Sequence, residues 1–214
     1  MDGETEDNRI RTLSIEAAIG DRSWMQESAQ LDHLSVAQVS DRVSVVRLPR
    51  FETFTGTVFT AVTDPTQKPG ARSVVVAIRG STAQRINDLN DFQDLLQTAG
   101  IPPIESAETA LDIARQYAVT LGTEYPQYSE ELSVLESADE IAMPNDESVP
   151  VSIDELVEKP TVHHDEDHFH VQFVTWTAVS GILKKFEVDI TDDGTVSVGE
   201  TELRDGVGQF WLPK

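Results

Sequence analysis

The stretch HFHVQFVTWTAVSGILKKFEVDITDDGTVSVGETEL, residues 168–203, decides the fold. Apolar and polar residues alternate in three runs, and two glycine-containing turns separate them: 168–179, Ser180-Gly181, 182–190, Asp192-Asp193-Gly194 and 195–203. A period of two indicates strands buried on one face, and such short turns join antiparallel neighbours. The end of the chain is therefore predicted to be an antiparallel β-meander, with residues 208–212 as a further edge strand.

Two helices are predicted upstream of this meander. The first spans 82–99, with Ser81 or Thr82 as its N-cap and Gly100 as its stop signal. The second spans 106–121, where Ser106 is the cap and Gly122 follows the end. Its buried face is rich in alanine, which lets the helix approach a sheet closely.

A β-rich block precedes the helices. Residues 43–48, 56–63 and 73–79 read as strands, and the turn formers between the last two predict a hairpin with a long loop. Strands and helices do not alternate along the chain, so the fold class is predicted to be α+β. The second helix laid across the meander would form a helix-on-sheet unit similar to that of cystatins, as an architectural analogy only.

The chain is predicted to divide into a few regions. Residues 1–8 look like a disordered acidic tail, 9–104 hold the hairpin and first helix, and 105–214 hold the second helix and the sheet. An acidic insertion at 124–167 interrupts the last region. The two larger regions can also form one continuous domain.

The charge is unevenly distributed. The net charge is −22, and residues 101–214 carry 24 acidic against 6 basic residues, whereas residues 1–100 carry 14 against 10. Such a surface repels phosphate backbones, so nucleic acid is excluded as a partner. Two explanations stay open: adaptation to a salt-rich cytosol, and a local acidic segment that binds cations or a basic partner.

Composition also bears on the compartment. The chain has no cysteine, no apolar run long enough to cross a bilayer, and an acidic N-terminus where a signal peptide needs positive charge. A soluble, cytoplasmic protein that does not bind membranes is predicted, without disulfides or thiolate metal sites.

Four of the five histidines lie within residues 163–170, among three carboxylates. At the start of a strand, His168 and His170 would point to the same face and could share a divalent metal, with His163, His164 or Asp167 completing the shell. A metal-dependent enzyme using nearby carboxylates as base is one hypothesis. The alternatives are pH sensing and a solvated acidic loop, and no other cofactor is expected.

A second candidate site follows the apolar run Val74–Ile78, where Arg79-Gly80-Ser81-Thr82 leads into the predicted first helix. Backbone amides at such a strand-to-helix turn can bind an anion. Residues 57–96 here resemble the oxyanion strand of class 3 lipases. The resemblance implies a hydrolase, but the chain contains no Gly-x-Ser-x-Gly nucleophile motif. Two interpretations stay open: a chance similarity, and a degenerate hydrolase that binds anions through Ser81 and Thr82.

Both faces of the first meander strand carry apolar side chains. Phe169 and Phe173 share one face, and Val174 and Trp176 share the other. One face should pack on the helix, which leaves the other to cover a second layer, a partner or a ligand. The leading hypothesis is therefore a non-enzymatic binding or assembly module that acts through its C-terminal sheet, on a protein partner or on itself.

Overall fold

The structure is a computed structural model that describes residues 2–20, 36–64, 73–98, 101, 104–123, 126, 132–143 and 149–208. Within these residues the chain is α+β, as predicted, with two antiparallel sheets. The helices are α1 (Asp2–Ile19), α2 (Val36–Ser40), α3 (Leu89–Thr98), α4 (Ala107–Thr120) and α5 (Val151–Asp154). Short 3-10 turns occur at Glu52–Phe54 and Ala138–Glu140. No helix among the described residues combines the length and apolar character needed to cross a membrane.

The first sheet is a four-stranded antiparallel meander in the order β1-β2-β3-β4. Its strands are β1 (Ser44–Arg47), β2 (Thr57–Thr63), β3 (Ser73–Arg79) and β4 (Thr82–Ile86). The predicted β2–β3 hairpin is confirmed, with Thr57 opposite Arg79 and Thr63 opposite Ser73. The long loop expected between these strands lies mostly outside the described residues.

The second sheet holds β5 (Leu132–Val134), β6 (Thr161–Asp165), β7 (His168–Thr177), β8 (Ile182–Thr191) and β9 (Val196–Arg204). Strand β7 pairs along its length with β8, and on its other side with β6 and then with β5. The predicted meander is confirmed as β7-β8-β9. Most of the further strand expected at 208–212 lies outside the described residues.

The apolar core forms three layers around the two sheets. One layer lies between α1 and one face of the first sheet, where Val62 and Val76 are buried. The largest cluster joins the opposite face of that sheet to α3, α4 and the inner face of the second sheet, and includes Phe59 and Phe173. A third cluster covers part of the outer face of the second sheet. The alanine face of α4 sits inside the largest cluster, so the predicted helix-on-sheet packing is present.

Helix α4 is fixed in place by polar contacts as well as by its apolar face. The Ser106 side chain accepts a hydrogen bond from the Thr109 amide at 3.1 Å, which is the predicted N-cap. One turn further on, the Asp112 carboxylate accepts from the amide and hydroxyl of Thr53, both at 3.0 Å. The fully buried Gln116 bonds to Phe51 and Pro49 in the same loop. The helix therefore holds the β1–β2 connection against the core.

Three sequence-based expectations are corrected. Residues 82–86 form strand β4, so the helix predicted from residue 82 begins only at Leu89. Pairing with β3 decides this, because Ile86 enters the core opposite Val75 in the sheet. Helix α1 begins at Asp2, within the segment expected to be a disordered tail. Strand β6 lies inside the acidic insertion, at residues where no strand was predicted.

Candidate functional site

Among the described residues, the outer face of the second sheet divides into a covered end and an exposed end, which we call the bare end. At the covered end, Val174, Trp176 and Leu183 are buried beneath residues of the 135–153 segment and Val207. The Trp176 side chain is only 4% exposed, and its Nε1 donates to the Val207 carbonyl at 2.9 Å. Of the three roles left open for this face, a second layer, a partner or a ligand, the structure shows the first for Val174 and Trp176, which are not exposed to a partner. The chain itself covers this end.

The bare end is built by the β6–β7 hairpin and the facing part of β8. Cross-strand pairing places His163 opposite His170, and Asp165 opposite His168. Strand β8 continues the same two rows with Asp189 opposite His170 and Thr191 opposite His168. Because side chains two residues apart share a face, these groups all point to the outer side of the sheet. We call this surface the histidine face; it comprises His163, Asp165, His168, His170, Gln172, Glu187 and Asp189.

The hairpin turn explains how two histidine-bearing strands come to lie side by side. Residues Glu166 and Asp167 form the two-residue connection, and Glu166 adopts a φ of 47°. Positive φ values match the right-handed twist of hairpin strands, although a non-glycine residue adopts them at some cost. The turn is braced from the neighbouring hairpin, since the Asp192 amide donates to the Asp167 carbonyl at 3.1 Å.

Two histidines of this face are each paired with a carboxylate through Nδ1. His168 Nδ1 lies 2.6 Å from Asp167 Oδ1, and His170 Nδ1 contacts Asp189 Oδ1 more closely still. The two imidazole rings are nearly parallel, with centroids 6.4 Å apart and 10° between their planes. A carboxylate at Nδ1 orients the ring, which makes the Nε2 nitrogen the one available to another group.

The predicted metal ligands do not all share this face. His164 pairs with Phe169, so it lies on the opposite side of the hairpin, where its ring stacks on Phe169 at 4.1 Å. Its Nε2 lies 3.9 Å from Asp192 rather than near the other imidazoles. Asp167 belongs to the turn and contacts His168. Over the described part of the chain, no group of three or more histidine, aspartate or glutamate side chains is arranged to hold a metal ion.

The histidine face has a negative balance. Glu187 accepts from Gln172 at 2.9 Å, and the Lys185 ammonium lies 3.5 Å from it. Asp189 is exposed, and the Ser197 hydroxyl donates to its Oδ2 at 3.5 Å. Ser197 therefore contacts a carboxylate rather than an imidazole nitrogen. The face presents three carboxylates and three imidazoles to solvent, which suits hydrogen bonding and charge recognition.

The second candidate site takes a different form from the one predicted. Gly80 and Ser81 form the tight turn of the β3–β4 hairpin, and Gly80 has a φ of 56°. Ser81 and Thr82 are exposed, and the Gly80 carbonyl accepts a hydrogen bond from Arg9 on α1. Without a helix after the turn, the amides of a helix N-terminus are not available to an anion here. The strand-to-helix geometry that the class 3 lipase resemblance implied is thus absent from this turn.

One contributor to the site, strand β6, was missed from the sequence. Strand β6 begins with the β-branched residues Thr161 and Val162, and a two-residue turn after Asp165 joins it to the confirmed strand β7. Together these features signal a hairpin. The many acidic residues around it led to the prediction of an acidic insertion rather than a strand.

No protein-family model matches the chain, and no match to it was found among the curated proteins or among the solved structures. The geometry of the site is therefore the basis for the function proposed below.

Proposed function

We propose that this chain is a non-enzymatic binding module that recognises a positively charged protein segment through the histidine face of its C-terminal sheet. The observation that carries the proposal is the division of the outer sheet face. The chain covers the apolar end with its own residues and leaves bare the end that bears Asp165, Glu187 and Asp189.

Charge favours a basic partner over a second copy of the chain. Each copy has a net charge of −22, so two copies repel one another at low salt. A lysine- or arginine-rich segment would instead be steered toward the face, and its donors match the carboxylate and imidazole acceptors. Self-association through Trp176 loses its support, because that side chain is only 4% exposed.

The proposal favours binding over catalysis because of the surroundings of the imidazoles. Both histidine–aspartate pairs lie on an exposed sheet face. The Ser197 hydroxyl beside Asp189 donates to that carboxylate, and the Thr191 hydroxyl opposite His168 donates to Asp193. Nucleophilic catalysis needs a hydroxyl that is hydrogen-bonded to the imidazole base. Recognition of a partner needs only accessible acceptors.

The test is a calorimetric titration with an eight-residue oligolysine peptide at low ionic strength. The face variant combines Asp165→Asn, Glu187→Gln and Asp189→Asn. A matched control removes three exposed carboxylates at the end of α5 and just after it with Asp154→Asn, Glu155→Gln and Glu158→Gln. We expect the face variant to lose about tenfold in affinity, as for several weak ion pairs, and the control less than about threefold. Equal losses in both variants would show nonspecific attraction and refute the proposal.

The metal hypothesis is a second candidate, supported by the pair His163 and His170 directly opposite each other. Cross-strand neighbours bring their side chains close enough for two imidazoles to share an ion, and the carboxylate behind His170 is a common outer partner of a metal-bound histidine. Repeating the titration with zinc chloride, on the native chain and on His163→Ala/His170→Ala, separates the two candidates. Saturable zinc binding that is lost in this variant would favour the metal.

A further inference from the structure

A cleft of 360 Å³ lies at the opposite side of the second sheet, near the β8–β9 turn. Three parts of the chain enclose it: the end of α3, the segment leading into α4 together with that helix, and the turn itself. Its apolar lining consists of Leu96, Ile101, Ile104 and Ile113, and its acidic lining consists of Asp192 and Asp193. Nothing in the proposed function uses this cleft. Its volume falls within the range of small-molecule sites.

The floor of the cleft is apolar and firmly packed. Ile113 is fully buried on α4, and Leu96 and Ile104 are only 6% and 5% exposed. These side chains belong to the largest core cluster, so the floor of the cleft packs against the apolar residues of the two sheets. A preformed apolar floor favours a ligand with a hydrocarbon or aromatic body.

The rim on the β8–β9 side is negative. Asp193 accepts hydrogen bonds from the Thr191 hydroxyl and from the Thr195 amide, the latter at 3.1 Å. These bonds, with that of Thr191 the strongest influence, lower the pKa of Asp193, so the carboxylate is ionised at neutral pH. Asp192 Oδ1 lies 3.9 Å from His164 Nε2, which is too long for a hydrogen bond, and the Asp192 side chain is about half-exposed.

Helix α3 adds to the negative potential from the other side. It is 10 residues long, ends at Thr98 and carries no basic residue in its last turn. The C-terminal end of a helix bears a partial negative charge from its unpaired carbonyls, which favours a cation. Gln97, in the same turn, lines the cleft and supplies a neutral hydrogen-bonding group. Neither lysine nor arginine is among the described residues that line the cleft.

We propose that this cleft binds a small amphipathic cation, an amine with a hydrocarbon or aromatic body, whose ammonium group lies beside Asp192 at the acidic β8–β9 turn. The apolar body covers Ile101, Ile104 and Leu96. An anion of the same shape is repelled by both carboxylates, and a neutral analogue keeps only the apolar contact.

The test is a calorimetric titration with three probes of matched shape: 4-phenylbutylamine, 4-phenylbutan-1-ol and 4-phenylbutanoate. We expect the amine to bind saturably, the alcohol to bind roughly three- to tenfold more weakly, and the carboxylate weakest of all. The variant Asp192→Asn/Asp193→Asn keeps acceptors for Thr191 and Thr195 and should lower the affinity for the amine to that for the alcohol. The control variant Glu155→Gln/Glu158→Gln removes two negative charges from residues that do not line the cleft. It should leave the affinity for the amine unchanged.

A second variant tests the floor independently of the charges. Ile101 is half-buried at the cleft, and Ile101→Trp should fill the cleft and abolish binding of all three probes. Far-UV circular dichroism and the urea unfolding midpoint of each variant identify any that fail to fold. Absence of amine binding to the native chain, or equal binding of the three probes, would overturn the proposal. Failure here leaves the oligolysine titration unaffected, because its face variant changes Asp165, Glu187 and Asp189 and none of the residues that line the cleft.

Discussion

Tyr117 illustrates how a single side chain connects the layers of the core. Its ring meets Phe92 edge-on at 5.7 Å and Phe186 at 6.5 Å, which joins α3, α4 and β8. Its hydroxyl donates to Glu200 Oε1 at 3.2 Å. Burial, followed by the charge of Glu200, raises the pKa of Tyr117 to about 12.

Stability is therefore expected to decline at high pH. An ordinary tyrosine in the unfolded chain has a pKa of about 10, below the folded value, so the folded state favours the neutral phenol. The stabilisation from Tyr117 is complete below about pH 10 and is lost as the pH rises through about 12. Because the ring is only half-buried, the loss should be on the order of 1 kcal/mol. Urea unfolding of the native chain and of Tyr117→Phe between pH 8 and pH 12 measures it.

Tyr117→Phe removes the ionisable hydroxyl while keeping the aromatic contacts, so its unfolding free energy should fall less steeply above pH 10. Identical pH dependence in both proteins would contradict the burial of this phenol. The difference in tyrosinate absorbance between the two proteins gives the folded pKa directly.

At the scale of elements, the residue pair after α4 lies very close to strand β8. A Cβ placed on Gly122 would lie 2.6 Å from Phe186 Cζ and 2.9 Å from Ala118 Cα. The second of these is backbone, which cannot move aside, so only glycine fits at this crossing. The alanine-rich helix was predicted to approach the sheet closely, and just after the helix ends this approach requires a glycine, Gly122.

Substitution at this crossing should be costly. Gly122→Ala is expected to lower the free energy of unfolding by about 1 to 3 kcal/mol through overpacking. Gly199→Ala is the matched control, because its Cβ would come no closer than 3.7 Å to Glu187 O. We expect the control to change stability by no more than about 0.5 to 1 kcal/mol. Urea denaturation of both variants measures the difference, and equal effects would show that α4 and β8 are less closely packed.

At the scale of the whole molecule, charge is the dominant feature. A net charge of −22 on 214 residues produces self-repulsion that favours the unfolded state at low salt. Among the described contacts, the ion pairs are largely exposed, such as Arg9–Glu6 on α1, and exposed pairs contribute little stability. Salt that screens the repulsion should therefore stabilise the fold.

We expect the unfolding temperature to rise by several degrees between dilute buffer and about 2 M KCl, since screening acts within a few ångströms at such ionic strength. Differential scanning calorimetry measures the shift. Sucrose at equal osmolality is the control for solvent exclusion. We expect it to raise the unfolding temperature less than KCl does at salt concentrations below 1 M. An unfolding temperature that does not change with KCl would contradict both the repulsion and the salt-adaptation hypothesis.

Local patterns were the reliable part of the sequence. The meander, the β2–β3 hairpin and α4 were predicted because their signals repeat over many residues and agree with their turns and caps. Residues 82–86 were misread as helix because short segments are decided by pairing, and β3 supplies that pairing. The cleft at Ile113 and Asp192 left no local signal, since its walls are distant in the chain.

The sequence by itself determined the fold class, the strand alternation of the meander and the grouping of four histidines within eight residues. Only the tertiary structure decided that Trp176 is covered, that His164 lies on the opposite face from His163, and that one end of the outer sheet face is bare. The physical reason is that alternation assigns side chains to two faces. Which face is covered depends on residues such as Leu135 and Val207, which lie dozens of positions away along the chain.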